Sequence, residues 1–156
     1  LFNEQWGAVV LAWGAAMLVG LAGNRAVKGV DGVSEMGRQS IASLGRATEL
    51  LRRGDYRAAT GVTGSAVRSF RLGGDKTLLP LGLTMHAVAL AANGDTAGAR
   101  GAVDEASRIM VNIPSAFAAE AAGFRRMQEV LRRELDLGVP DPQRLVDEFL
   151  ALNDLV

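Results

Sequence analysis

Two short stretches, Gly54-Asp55-Tyr56-Arg57-Ala58-Ala59 and Gly94-Asp95-Thr96-Ala97-Gly98-Ala99, recur forty residues apart in the chain. Each lies between two segments in which apolar residues repeat at the three- and four-residue spacing of a helix. A glycine that ends a helix readily takes the left-handed conformation, and an aspartate that follows it accepts hydrogen bonds from the free N–H groups of the next helix. The two stretches therefore predict turns between helices in an all-α fold.

Similar start and stop signals divide the rest of the chain. Ser34 and Asp141 are suited to cap helices, Ser115 caps a long one, and Gly138 closes it. We expect helices over residues 34–53, 56–71, 78–93, 96–111, 115–137 and 142–153. A period of about forty residues in helix pairs indicates stacked α-hairpins, in which each pair completes the core of its neighbour.

In this turn series the chain resembles the tetratricopeptide repeat (TPR) family. The matching positions are small residues on both helices and a glycine at the turn, with an aromatic residue after the first turn: Ala47, Gly54, Tyr56, Ala59 and Ala66, then Ala87, Gly94, Ala99 and Ala106. The resemblance implies two TPR-like helix pairs over residues 34–112 and a degenerate pair or cap over 115–156. It also implies a surface that binds peptides or partner proteins, without general catalytic residues.

The chain departs from the family pattern in both copies. Ser43 and Arg46 stand where the first repeat should carry large apolar residues, and Thr63 and Val103 replace the bulky residue of the second helix. The spacing of forty exceeds the 34 residues of the family repeat, and the loop near residues 72–76 would absorb the difference.

An apolar segment precedes the helical pattern. From Trp6 to Ala22, seventeen consecutive residues carry no charge, amide or hydroxyl group. As a helix these residues would span roughly 26 Å, the short end of what a transmembrane helix needs. Within the segment a stripe of small residues, suited to close helix packing or self-association, recurs every four positions: Ala8, Ala12, Ala16 and Gly20.

We expect residues 1–28 to form a hydrophobic, transmembrane anchor or oligomerisation helix. Trp6 suits the membrane interface, and Arg25 and Lys28 follow the segment, which places the repeat module in the cytoplasm under the positive-inside rule. Two alternatives stay open. The helix could instead be buried in an oligomer or against a partner subunit, or it could be an uncleaved signal sequence.

The composition contains little that points to chemistry. Seventeen basic and seventeen acidic residues balance, so no net field favours nucleic acid, and the absence of cysteine excludes thiolate chemistry. His86 is the single histidine, and its apolar neighbours predict a hydrogen-bonded histidine in the core or a groove. We therefore predict no catalytic residue, no metal site and no cofactor.

Two arginine pairs on the predicted fifth helix are possible partner-binding residues: Arg125 and Arg126, then Arg132 and Arg133. Acidic residues interleave with them, so a solvated face of ion pairs is one interpretation. Docking on an acidic partner protein or on anionic lipid headgroups is the other.

These observations predict a membrane-associated, non-catalytic scaffold or accessory subunit that binds protein partners and tethers a larger complex. One alternative is an oligomeric stalk of bundled N-terminal helices that holds an enzyme complex near the membrane, with room for a lipid-like molecule. A second alternative is an assembly or chaperone factor of the membrane-anchored TPR type.

Removal of residues 1–28 tests the anchor. The full chain should sediment with membranes and need detergent for release, whereas the shortened chain should stay in the soluble fraction. Fractionation followed by size measurement distinguishes the alternatives, because a bundled stalk gives a defined oligomer without detergent. Two forms that are both soluble and monomeric would contradict the anchor.

Overall fold

The computed structural model describes residues 35–73, 78–110 and 118–154, and within these ranges the chain is entirely helical apart from its turns. This confirms the all-α prediction, and the observed bounds fall within a few residues of the predicted ones. The helices are α1 (Glu35–Arg52), α2 (Tyr56–Leu72), α3 (Leu79–Ala92), α4 (Thr96–Met110), α5 (Ala118–Asp136) and α6 (Pro142–Asp154).

In the described part of the chain, none of the helices combines the length and the apolarity that a membrane crossing requires. The apolar segment, its stripe Ala8, Ala12, Ala16 and Gly20, and the flanking Trp6, Arg25 and Lys28 all lie outside the described residues.

The first two turns have the same hydrogen-bonded geometry. Gly54 and Gly94 have φ values of 79° and 90°, in the left-handed region that favours glycine. The N–H of the next residue reaches back 2.9 Å to a helix carbonyl in both, from Asp55 to Leu50 and from Asp95 to Leu90. Each aspartate then caps the following helix, which lets one residue end the first helix and start the second.

Helix α3 lies at the centre of the fold. Twelve of its fourteen residues are buried, and none of the fourteen is charged. It packs against α2 and α4 along their lengths and also contacts α1, α5 and α6. A helix without a polar face must be covered on all sides, and the remaining helices provide that cover.

The first four helices pack in chain order, α1 on α2, α2 on α3 and α3 on α4. The alanines that flank the turns (Ala47, Ala59, Ala66, Ala87, Ala99 and Ala106) are at most 2% exposed. Their small side chains allow the close approach of neighbouring helices that the repeated pattern predicts.

One departure from the repeat pattern, at Ser43 and Arg46, lies on a solvent-facing part of α1. Arg46 is exposed and donates a hydrogen bond of 2.9 Å to Ser43 Oγ, on a part of α1 that faces water. The equivalent residues of α3, forty positions later, are Leu83 and His86. At these two positions α1 is polar and partly open to water, whereas Leu83 of α3 is 1% exposed.

The third turn sends the chain in a different direction. Gly138 has a φ of 78° and makes the same turn hydrogen bonds, but Val139 and Pro140 separate it from the capping Asp141. Helix α6 therefore starts two residues later than the pattern of the first turns would place it. It lies against α3 and α1 as well as against α5.

The buried face of α6 is largely apolar. Leu145, Val146, Phe149 and Leu150 are at most 7% exposed. At the start of the helix, Tyr56 Oη donates a 2.6 Å hydrogen bond to Gln143 Oε1, which ties α2 to α6. Burial, with the nearby charges of Asp147 and Asp141, raises the pKa of Tyr56 and so keeps the donating proton in place.

Substitution of Leu145 by Ala tests how much the packing of α6 contributes to stability. Leu145 is 0% exposed, so the variant should lose about 2–5 kcal/mol of unfolding free energy through lost burial and the cavity left behind. Leu137→Ala is the matched control, since Leu137 is 62% exposed and the change should stay within about 0.5 kcal/mol. Chemical denaturation measures both, and equal small effects would mean that α6 does not complete the core.

Candidate binding groove

Helices α2 and α4 both pack on α3, and together with it they border a groove of about 470 Å³. The floor consists of α3 side chains, and the two walls come from the facing sides of α2 and α4. The lining residues are Gly64, Val67, Arg68 and Arg71 of α2, Leu83, His86 and Leu90 of α3, and Asp95, Gly98, Gly101, Ala102 and Glu105 beside or on α4.

The groove is where the central helix α3 is accessible to solvent. His86 and Leu90 are the two residues of α3 that are not buried, and both line the groove. They are four residues apart and so lie on one face of the helix. The accessible part of α3 is therefore one imidazole edge beside one aliphatic side chain.

The tautomer of His86 is set by Thr63 of α2. The Thr63 hydroxyl lies 2.9 Å from the carbonyl oxygen of Ala59 and 2.8 Å from His86 Nδ1. A hydroxyl has one proton, and the carbonyl can only accept. We therefore assign the Thr63 proton to Ala59, so that Nδ1–H of His86 donates to Thr63 Oγ.

This assignment leaves Nε2 of the neutral ring as a hydrogen-bond acceptor. Burial, the largest cause, lowers the pKa of His86 from its usual 6.5. The Asp95 carboxylate opposes that shift, and the guanidinium groups of Arg68 and Arg71 add to it. At neutral pH the ring is uncharged and offers a lone pair in a groove whose floor is largely apolar.

Gly64 keeps the imidazole edge accessible. A Cβ atom at this position would lie 3.3 Å from Cε1 and 3.8 Å from Nε2 of His86, so any side chain would cover the ring edge. Gly101, on the opposite wall, has open space where its Cβ would be. Each wall of the groove therefore includes a glycine, and Gly64 is the one that lies against the imidazole.

The two walls carry opposite charges. Arg68 and Arg71 belong to α2, whereas Asp95 and Glu105 lie on the α4 side. One pair spans the groove, with Arg71 Nη2 2.5 Å from Glu105 Oε2, and both side chains are partly exposed. Exposed ion pairs of this kind contribute at most about 1 kcal/mol, so the pair can separate when a ligand enters.

A second, smaller groove of about 340 Å³ lies between α1 and α2. Its lining includes Ser43, Arg46 and Gly61. Gly61 is the repeat equivalent of Gly101, is exposed in the same way, and likewise has open space where its Cβ would be. Polar α1 residues line this groove where the first groove has an apolar floor, so the two grooves differ in the chemistry of the surface they offer.

The four arginines predicted as a partner-binding strip have separate surroundings. Arg125 and Arg126 are exposed on α5. Arg132 donates to Asp104 at 2.9 Å and to Ser107, which fixes α5 to α4, and Arg133 donates to Glu148 of α6 at 2.7 Å. Two of the four therefore join helices, and the other two face solvent.

Of the predicted turn residues, Gly54, Asp55, Gly94 and Asp95 lie in the turns, whereas Tyr56 is the first residue of α2. Asp95 also borders the groove. The expectation that His86 is a hydrogen-bonded core or groove histidine is confirmed. Across residues 35–73, 78–110 and 118–154, no group of three or more histidine, aspartate or glutamate side chains is placed to hold a metal ion.

The sequence pattern alone did not reveal the groove between α2 and α4. One signal was available, because Gly61 and Gly101 fall at the same place in the two copies of the pattern, on exposed helix positions where glycine weakens the helix. The pairing of Thr63 with His86 had no local signal, since the two residues belong to different helices, 23 positions apart.

Comparisons of the chain with protein-family models, with curated proteins and with solved structures find no match.

The lowered pKa of His86 predicts how stability depends on pH. Between the folded pKa and 6.5 the unfolded chain binds a proton that the folded chain does not, so the unfolding free energy should fall as pH drops through 6.5. The slope attributable to His86 cannot exceed about 1.4 kcal/mol per pH unit, and it vanishes well above that pH.

His86→Asn supplies the comparison, because the Asn amide can still donate to Thr63 while lacking a titratable ring. Chemical denaturation of both proteins from pH 5 to 8 gives the difference, in which the shared carboxylates cancel. A pH profile unchanged by the substitution would show that His86 titrates alike in the folded and unfolded chain.

Proposed function

We propose that this chain is a non-catalytic scaffold or accessory subunit that binds a segment of a partner protein in the α2–α4 groove and is held at a membrane by residues 1–28. The observation that carries the proposal is the solvent-accessible part of α3 in the groove. Helix α3 is otherwise buried, and it exposes His86 and Leu90 in one place. The glycines that line the groove add no side chains to its walls.

The charges of the walls indicate an amphipathic helix as the occupant. A positive wall of Arg68 and Arg71 faces a negative side with Asp95 and Glu105, and the floor between them is apolar. A helix with an apolar stripe, acidic residues on the flank toward α2 and basic residues on the flank toward α4 complements this arrangement. A polyanion such as nucleic acid would meet as much repulsion as attraction.

The repeat resemblance supports a binding role. We infer that α1 to α4 form two TPR-like pairs, since both turns share one geometry and the small residues lie at helix contacts. Helix α6 packs on α1, α3 and α5, whereas the groove is lined by α2, α3 and α4, so a partner has access on the α2–α4 side.

The place at the membrane rests on sequence. Seventeen uncharged residues from Trp6 to Ala22, with Arg25 and Lys28 after them, favour a single crossing with the helical module in the cytoplasm. Exposed Arg125 and Arg126 provide positive charge for an acidic partner or for anionic headgroups. Bundling of the segment through its small-residue stripe is the alternative, and would give a stalk.

Replacing Gly101 by Leu tests the groove as the partner site. The new side chain has open space at its origin and would occupy the groove, so the proteins that co-purify with the full chain should be lost. Gly61→Leu is the matched control, because it adds the same side chain at the equivalent exposed position on α2 and lines the other groove. Quantitative co-purification under identical conditions compares the two variants with the parent.

Both variants should unfold at higher denaturant, since replacing an exposed helix glycine gains roughly 0.5–1 kcal/mol. Loss of partner in Gly101→Leu at raised stability would therefore not reflect misfolding. Equal retention of partners in both variants would place the binding surface elsewhere.

A further inference from the structure

We propose that the α2–α4 groove recognises its partner through one aromatic side chain that carries a ring hydrogen-bond donor, with tryptophan the best match, seated on Leu90 and donating to Nε2 of His86. The inference rests on the proposed function and names the anchor residue of the partner. It follows from the one polar atom that the α3 side chains of the groove floor offer.

The hydrogen-bonding direction at His86 is fixed by its surroundings. Assigning the Thr63 proton to the Ala59 carbonyl, 2.9 Å away, makes Nδ1 of His86 the donor to Thr63 Oγ at 2.8 Å. The ring therefore cannot exchange tautomers without losing a hydrogen bond in the partly buried interior, and Nε2 presents an acceptor to the groove. An incoming group must donate, and indole N–H is a donor without acceptor capacity.

The rest of the floor is suited to a ring. Leu83 and Leu90 of the floor and Val67 of the α2 wall line the groove, and Gly64 leaves the ring edge uncovered. Aliphatic contacts along one side with a single acceptor at the edge match the apolar body and polar tip of an aromatic donor side chain. An aliphatic anchor would leave Nε2 desolvated and unpaired, which is unfavourable.

Aromatic anchors in well-enclosed pockets provide a large share of the energy of protein interfaces, whereas charged rims contribute less. The oppositely charged walls then orient the segment, and His86 selects the anchor. These two parts of recognition are separable, which allows the anchor to be tested without the partner.

A pair of indoles tests the anchor directly. The full chain is titrated with 3-methylindole and with 1,3-dimethylindole, which has the same ring but no N–H, and backbone amide signals of Gly64, Gly98 and Gly101 are followed by NMR. We expect 3-methylindole to shift these signals and the N-methylated compound to bind about 3- to 10-fold more weakly, as the loss of one hydrogen bond predicts.

Two variants and a control complete the design. Gly101→Leu should abolish the shifts by filling the groove, and Gly61→Leu should leave them as in the parent chain. His86→Asn should reduce the preference for 3-methylindole, because it keeps the donor to Thr63 and removes the ring acceptor. Equal affinity for the two indoles, or no shift of the groove glycines with either, overturns the inference.

The proposed function is judged separately, by the co-purification of partners with Gly101→Leu. Loss of partners in that variant together with equal binding of the two indoles would leave the groove as the partner site and remove the aromatic donor as its anchor. Retention of partners in Gly101→Leu would remove the groove itself.

Discussion

Every other part of this fold depends on the burial of α3, a helix with no charged residue and no polar face. Twelve of its fourteen residues are buried, which requires neighbours on all sides. Helices α2 and α4 cover two sides, and α1, α5 and α6 cover the rest. Burial of that much apolar surface is the main driving force available to a chain without disulfides. The incomplete cover at His86 and Leu90 is therefore informative about binding.

The turns show how small differences in sequence redirect the chain. Gly54-Asp55 and Gly94-Asp95 end one helix and cap the next within two residues, and the helices that follow stack in order. At the third turn Val139 and Pro140 stand between Gly138 and Asp141. Val139 is itself held at a φ of 51°, rare for a β-branched residue, and its side chain is buried. After this insertion α6 packs against α1, α3 and α5.

His86 belongs both to the packing of α2 on α3 and to the lining of the proposed binding groove. On sequence alone it is a single histidine among apolar residues, and it is indeed hydrogen-bonded, to Thr63 of the preceding helix. Two further features support its proposed role in binding. The direction of its hydrogen bond leaves an acceptor on the groove side, and the charges around it come from opposite walls, Arg68 and Arg71 against Asp95. A neutral acceptor between walls of opposite sign favours a partner segment that is itself amphipathic.

The sequence by itself determined the helices and their order among the described residues, because aspartate caps, glycine stops and apolar spacing act over a few residues. The predicted caps Ser34 and Ser115 lie outside the described residues. The sequence also determined that small residues flank the turns. What only the tertiary structure decided was the closure by α6, the central position of α3 and the groove between α2 and α4. These depend on contacts between residues far apart in the chain, such as Tyr56 with Gln143 and Arg71 with Glu105. Local patterns say which face of a helix avoids water, but the identity of the surface that covers it is settled only when all the helices compete for the same core.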